Sequence, residues 1–100
     1  MLVAFSIAPS AADETGSVSA AVAAAIKVVR ESGLPNETNA MFTNIEGEWD
    51  EVMAVLKRCV EVVSAVSPRV SLVVKADIRP GWDGQLTAKV ERVESHLKEA

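Results

Sequence analysis

The chain has one cysteine, one histidine, no tyrosine and only four aromatic residues among 100. Each shortage removes a class of protein. A single Cys59 excludes an intrachain disulfide and any cysteine-only metal site, and its place among Val55, Leu56, Val60 and Val63 reads as a buried thiol. His96 stands alone in a polar stretch near the C-terminus with no Cys or second His nearby, so it reads as surface decoration and leaves no zinc site. No basic excess exists: the net charge is -4, which argues against nucleic acid, because phosphate binding draws on clustered Lys and Arg. No apolar run reaches the ~18–20 residues a membrane-spanning helix needs. Leu2 to Ala12 is apolar and ends in small residues, but it lacks the positive flank of a secretory signal. A cytoplasmic protein is expected.

What is present is aliphatic. Nearly half the chain is hydrophobic, much of it Ala and Val, which predicts a thin, close-packed core. A chain of this length buries about 60–70% of the surface exposed when unfolded, so it tends to leave apolar surface for a partner subunit. The whole chain, 1–100, is read as one domain.

Leu2 to Pro9 alternates with period two: Val3, Phe5 and Ile7 are bulky on one side, Ala4, Ser6 and Ala8 small on the other. The bulky side should meet helices and the small side a ligand or another subunit. After a polar loop, Ser17 or Ser19 can cap a helix carrying Val18, Val22, Ala25, Ile26 and Val29 on one stripe. Gly33 ends it as a left-handed residue, and Pro35 prevents its resumption. Asn36 to Glu46 is short, broken and rich in Thr, Phe and Ile; it reads as two short strands joined by a tight turn near Asn39 to Met41, with one bent strand as the alternative.

A second helix opens with Glu48, Asp50 and Glu51, which complement its positive N-terminus, and runs to about Val66. Its stripe is Trp49, Val52, Met53, Leu56, Cys59, Val60 and Val63. Ser67 and Pro68 break it, and Val70 to Ile78 is a strand with Val70, Leu72, Val74, Ala76 and Ile78 on one face. After the turn-rich Pro80 to Gly84, Leu86, Val90, Val93 and Leu97 mark a last amphipathic helix. The order predicts an α+β, ferredoxin-like βαββαβ sandwich: a four-stranded antiparallel sheet, two helices on one face, and a C-terminal helix.

No catalytic constellation accompanies this fold. There is no glycine-rich phosphate cradle, no Cys-x-x-Cys loop, no Ser-His-Asp set and no pair of exposed sheet aromatics for RNA. The polar residues on offer are Ser6, Lys75, Asp77 and part of the 36–46 segment. Lys75, flanked by Asp77, reads either as a catalytic amine or, more simply, as half of an ion pair. Thr43 and Glu46 precede a helix N-terminus and could grip a polar heterocycle; Glu46 could equally complement the dipole of the helix that follows. The face taken by Thr43 depends on the hairpin register, which the sequence leaves open. Trp82 reads as a lid, an interface anchor or a packing residue.

Phe5-Ser-Ile-Ala-Pro9, Glu31-Ser-Gly-Leu-Pro35, Ala40-Met-Phe-Thr-Asn-Ile-Glu-Gly-Glu-Trp-Asp-Glu-Val52, Lys75-Ala-Asp-Ile-Arg79 and Lys89-Val-Glu-Arg-Val93, in this order and spacing, resemble the small thiamine-binding proteins of ferredoxin-like fold. The resemblance covers nearly the whole chain. It implies an intracellular, non-catalytic protein that binds thiamine or its hydroxymethylpyrimidine part, needs no cofactor, and assembles through its sheets into a homo-oligomer, a dimer of dimers. By position it implies Ser6 and Thr43 as ligand contacts, with Asn39, Glu46 and Lys75 behind them. Phe42 departs from the small residue usual at its place. The alternative is a structural or regulatory module whose function is assembly alone.

Overall fold

A computed structural model of the protein describes residues 1–10 and 18–99. The elements are β1 (Leu2–Pro9), α1 (Ser19–Glu31), β2 (Asn36–Thr38), β3 (Thr43–Glu46), α2 (Trp49–Ser64), β4 (Val70–Asp77) and α3 (Gln85–Glu99). The strands form one antiparallel sheet in the order β2-β3-β1-β4. This is the α+β sandwich expected from the pattern, with the hairpin rather than a single bent strand between α1 and α2.

Alternation along β1 sets the core. Val3, Phe5 and Ile7 are buried against Ala25 and Val29 of α1 and Val52, Leu56, Cys59 and Val63 of α2, with Ile45 of β3 completing the cluster. Val52, Leu56, Cys59 and Val63 fall at intervals of four, three and four, the spacing of one helix face. Trp49 continues the series on paper, yet it is 55% exposed, because the first residue of α2 precedes the part of the helix laid on the sheet. Glu48 and Glu51 close a reciprocal capping box there, Glu48 N–H donating to Glu51 Oε1 at 3.0 Å. At the start of α1, Val18 takes the N-cap position without a side-chain cap; Ser19 is the first helical residue, and Ser17 lies outside the described residues. Gly33 has φ +77°, the left-handed stop expected of it.

β4 behaves differently from β1. Leu72 and Val74 lie opposite Ile7 and Phe5, on the helix side of the sheet, but both are exposed because β4 is the edge strand beyond the helices' cover. The apolar stripe of α3 is also uncovered: Val90, Val93 and Leu97 are each more than half exposed, and Gln85 is the only buried residue of that helix. Among the described residues no helix is long and apolar enough to cross a membrane.

The thiol of Cys59 donates to the carbonyl of Ala25 at 3.4 Å and is wholly buried, and desolvation pushes its pKa from 9.0 up to about 11. The folded state thus holds the thiol proton more tightly than the unfolded state. Stability from this group is complete below pH 9, declines as the unfolded thiol ionises, and is lost as pH rises through about 11. Two results are expected. A thiol reagent at pH 8 labels the unfolded chain and spares the folded one, and Cys59→Val flattens the fall in stability between pH 9 and 11 measured by urea titration. Prompt labelling of the native protein would contradict the burial.

Candidate functional site

The strand register decides which polar residues can meet. Met1 and Gly47 exchange hydrogen bonds, Met1 N donating to Gly47 O at 2.9 Å and Gly47 N to Met1 O at 3.1 Å. In an antiparallel ladder such pairs recur at every second residue. Val3 with Ile45 and Phe5 with Thr43 are therefore the next two, and the odd-numbered residues of β1 turn their backbone groups toward β3. Even-numbered residues turn theirs toward β4, in agreement with Ser10 N donating to Arg69 O at 2.9 Å.

β3 begins at Thr43, opposite Phe5, whereas β1 continues to Pro9. Among the described residues, the stretch of β1 past Phe5 thus has a strand partner on the β4 side only. The chain between β2 and β3 turns away under the control of Asn39, whose side-chain Oδ1 accepts from Met41 N and from Phe42 N, both at 2.9 Å, while Asn39 N donates to Phe42 O at 2.9 Å. A cavity of about 230 Å³ opens between this turn, the free edge of β1 and the first half of α1. Val22, Ile26 and Phe42 supply apolar wall; Ser6, Thr38, Asn39 and Thr43 supply polar groups. The hydroxyls of Thr38 and Thr43 are 3.2 Å apart, a mutual hydrogen bond.

Three of the five residues singled out from the sequence, Ser6, Asn39 and Thr43, border this cavity. They do so from different sides. Thr43 shares the helix face with its partner Phe5 and is buried, while Ser6 belongs to the opposite face with Val73 and is half-buried. Asn39 is exposed, and its oxygen is committed to the turn, leaving its NH2 group for other partners. Thr38 was not singled out; its direct pairing with Thr43 across β2 and β3 is a consequence of register, for which the sequence carries no local mark.

Glu46 lies elsewhere, at the far end of β3. It does complement a helix dipole, but that of α3 rather than of α2: Oε2 accepts from Gln85 N at 2.9 Å and Oε1 from Leu86 N at 3.1 Å. It borders a second cleft, of about 420 Å³, between the β3–α2 connection and the start of α3, with Leu34, Pro35, Glu51 and Asp83. Lys75 is exposed on the open face of the sheet opposite Ala4 and lines neither cleft. The ion pair expected of it belongs to Lys89 of α3, which contacts Asp77 and, by donating to that carboxylate, holds it below the usual carboxylate range. Arg79 stacks on the Trp82 ring, 3.3 Å from its centre, so this aromatic is engaged within its own loop. No group of three or more His, Cys, Asp or Glu is placed to hold a metal among the described residues.

Comparison with known proteins agrees with this architecture. The family model described as "Thiamine-binding protein" matches residues 3–94. The UPF0045 protein Mb1933 of Mycobacterium bovis is 55% identical over 98 residues, covering 97% of this chain and 94% of its own. Among solved structures, hypothetical protein MJ1052 of Methanocaldococcus jannascii superposes with a TM-score of 0.83 at 31% identity, over 93% of this chain and 94% of that one. A domain of unknown function, DUF77, from Bacillus cereus gives 0.77 at 32% identity over 89% and 85%.

Proposed function

The chain belongs to the thiamine-binding protein family, and on that footing we propose that it is a non-catalytic, cytoplasmic binding protein for thiamine or its hydroxymethylpyrimidine part. The observation that carries the reading is the cavity at the end of β3, where an apolar wall faces the Thr38 and Thr43 hydroxyls and the Asn39 amide. An aminopyrimidine is flat, and it wants donors and acceptors side by side, which hydroxyls and amides supply. Thr43, Ser6 and Asn39 are the proposed contacts. Glu46 and Lys75 stand apart from this cavity, so any part they have in ligand binding is at another surface of the assembly.

The same proposal makes the protein a homo-oligomer of single-domain subunits, a dimer of dimers. Leu72, Val73 and Val74 on β4, Ile78 just past its end, and the α3 stripe leave more apolar surface bare than a small monomer normally does. The same bare surface favours the second reading, a module whose function is assembly.

Isothermal titration with thiamine, hydroxymethylpyrimidine and thiamine diphosphate separates the two. Saturable binding at a fixed ratio per subunit is expected. Thr43→Val should weaken it about tenfold, because a ligand group left without its hydrogen-bond partner costs ~1–3 kcal/mol, while light scattering reports an unchanged assembly. No binding of any of the three by the assembled protein would leave the assembly module as the better reading.

A further inference from the structure

β4 is an edge of the sheet, and Val70–Asp77 runs along it without a proline or glycine to interrupt it. Odd-numbered residues of β4 face even-numbered ones of β1 and turn their backbone groups to them, as Arg69 O does in accepting from Ser10 N. Val70, Leu72, Val74 and Ala76 therefore turn theirs outward, where no strand meets them among the described residues. Leu72, Val73 and Val74, in the middle of the strand, are all exposed. An edge of this length and apolar character is a template for another strand.

The side chains of β4 say which strand fits. A second β4 laid antiparallel on the first about a two-fold axis must bring outward-turned residues opposite outward-turned residues. Only two registers do so while pairing nearly the whole strand. In one, Val74 faces Val74; Val73 then meets Lys75, and Arg69 meets Arg79. In the other, Val73 faces Val73. On the helix side Leu72 then meets Val74 and Val70 meets Ala76; on the open side Ser71 meets Lys75 and Arg69 meets Asp77, each pair occurring twice by symmetry. The Val73 register sets apolar against apolar and opposite charges together, whereas the Val74 register sets a valine against a lysine and opposes two arginines. The strand is complementary to itself about Val73.

We propose that β4 is the docking edge for a second copy of this chain, paired antiparallel in the Val73 register so that the two sheets become one. Lys89 contacts Oδ2 of Asp77, and Arg69 of the second copy takes the other carboxylate oxygen. The helix α3 points to the same side. Gln85 is held by Glu46 of β3 and Lys89 contacts Asp77 of β4, with β1 between those strands, so α3 runs along the end of the sheet from β3 toward β4. Its later turns carry the bare Val90, Val93 and Leu97 past the edge strand, toward the place the second copy takes. The inference rests on the homo-oligomer reading and deepens it: it names the edge, the register and the charge pair that closes each end.

The test uses the full-length protein carrying Val73→Cys or Val74→Cys, kept at low concentration under a mild oxidant, with light scattering of the unsubstituted protein beside it. Cys59 is buried and stays out of the reaction. Two residues facing each other across the axis as a non-hydrogen-bonded pair stand ~4.5 Å apart at Cα, within the span of a disulfide. Val73→Cys is therefore expected to give a disulfide-linked dimer at least about tenfold faster than Val74→Cys, whose thiols are off register on the opposite face. Equal rates, or faster linking through Val74→Cys, overturn the inference. Failure of both to link in a protein that light scattering shows to be oligomeric also overturns it, and leaves the homo-oligomer reading intact. A monomeric protein removes that reading and this inference together, and leaves the edge to a strand of another protein.

Discussion

Phe5→Ala is expected to lower the unfolding free energy by about 3–5 kcal/mol, the usual cost of emptying an aromatic site in a packed core. For a chain of this size that is a large share of the ~5–15 kcal/mol that holds most domains together. Tm should fall by more than about 12 °C. Phe5 is 1% exposed in the central strand, under both α1 and α2, and few aromatic residues are available to share the load. Its cross-strand partner Val74 offers an internal control, because the two side chains share a face while Val74 is 41% exposed. Val74→Ala should cost under about 1 kcal/mol in a free subunit. Urea titrations of both variants check the contrast. If the Val74 variant proves as costly as the Phe5 variant, β4 is covered in solution, and a second copy of the chain is the first candidate for the cover.

The pattern of residues carried most of this fold. Gly33 with Pro35 fixes where α1 ends, period two marks β1, and the four-three-four spacing in α2 selects the face that meets the sheet. What sequence reasoning misplaced has one physical origin: periodicity says that a face wants burial, not what will bury it. Trp49 extends the α2 stripe and Val90, Val93 and Leu97 define one on α3, yet all four side chains are exposed in the subunit. The candidate site was harder still. Ser6 and Thr43 are both polar strand residues, but the register that puts them on opposite faces depends on pairing distant segments.

Glu46 shows the same limit most sharply and gives the second large effect. Its sequence neighbour is the start of α2, and local reasoning offers it either to a ligand or to that helix; the fold instead brings it to Gln85 and Leu86, 39 and 40 residues away. A carboxylate 7% exposed, with each oxygen accepting from one backbone N–H of α3, works as a cap delivered from another strand. Glu46→Ala leaves both donors without a partner and removes the charge at the helix N-terminus. The expected loss is about 2–4 kcal/mol. Glu46→Gln keeps an acceptor oxygen but not the charge, and should lose roughly half as much. Because α3 buries little else, the damage should be concentrated in that helix. Hydrogen exchange resolved by residue should show the amides of Leu86 to Lys89 opening in Glu46→Ala while those of Val3 and Phe5 stay protected. Equal opening in both places would mean that α3 is part of the cooperative core after all, and that its exposed stripe is held by contacts a single subunit does not provide.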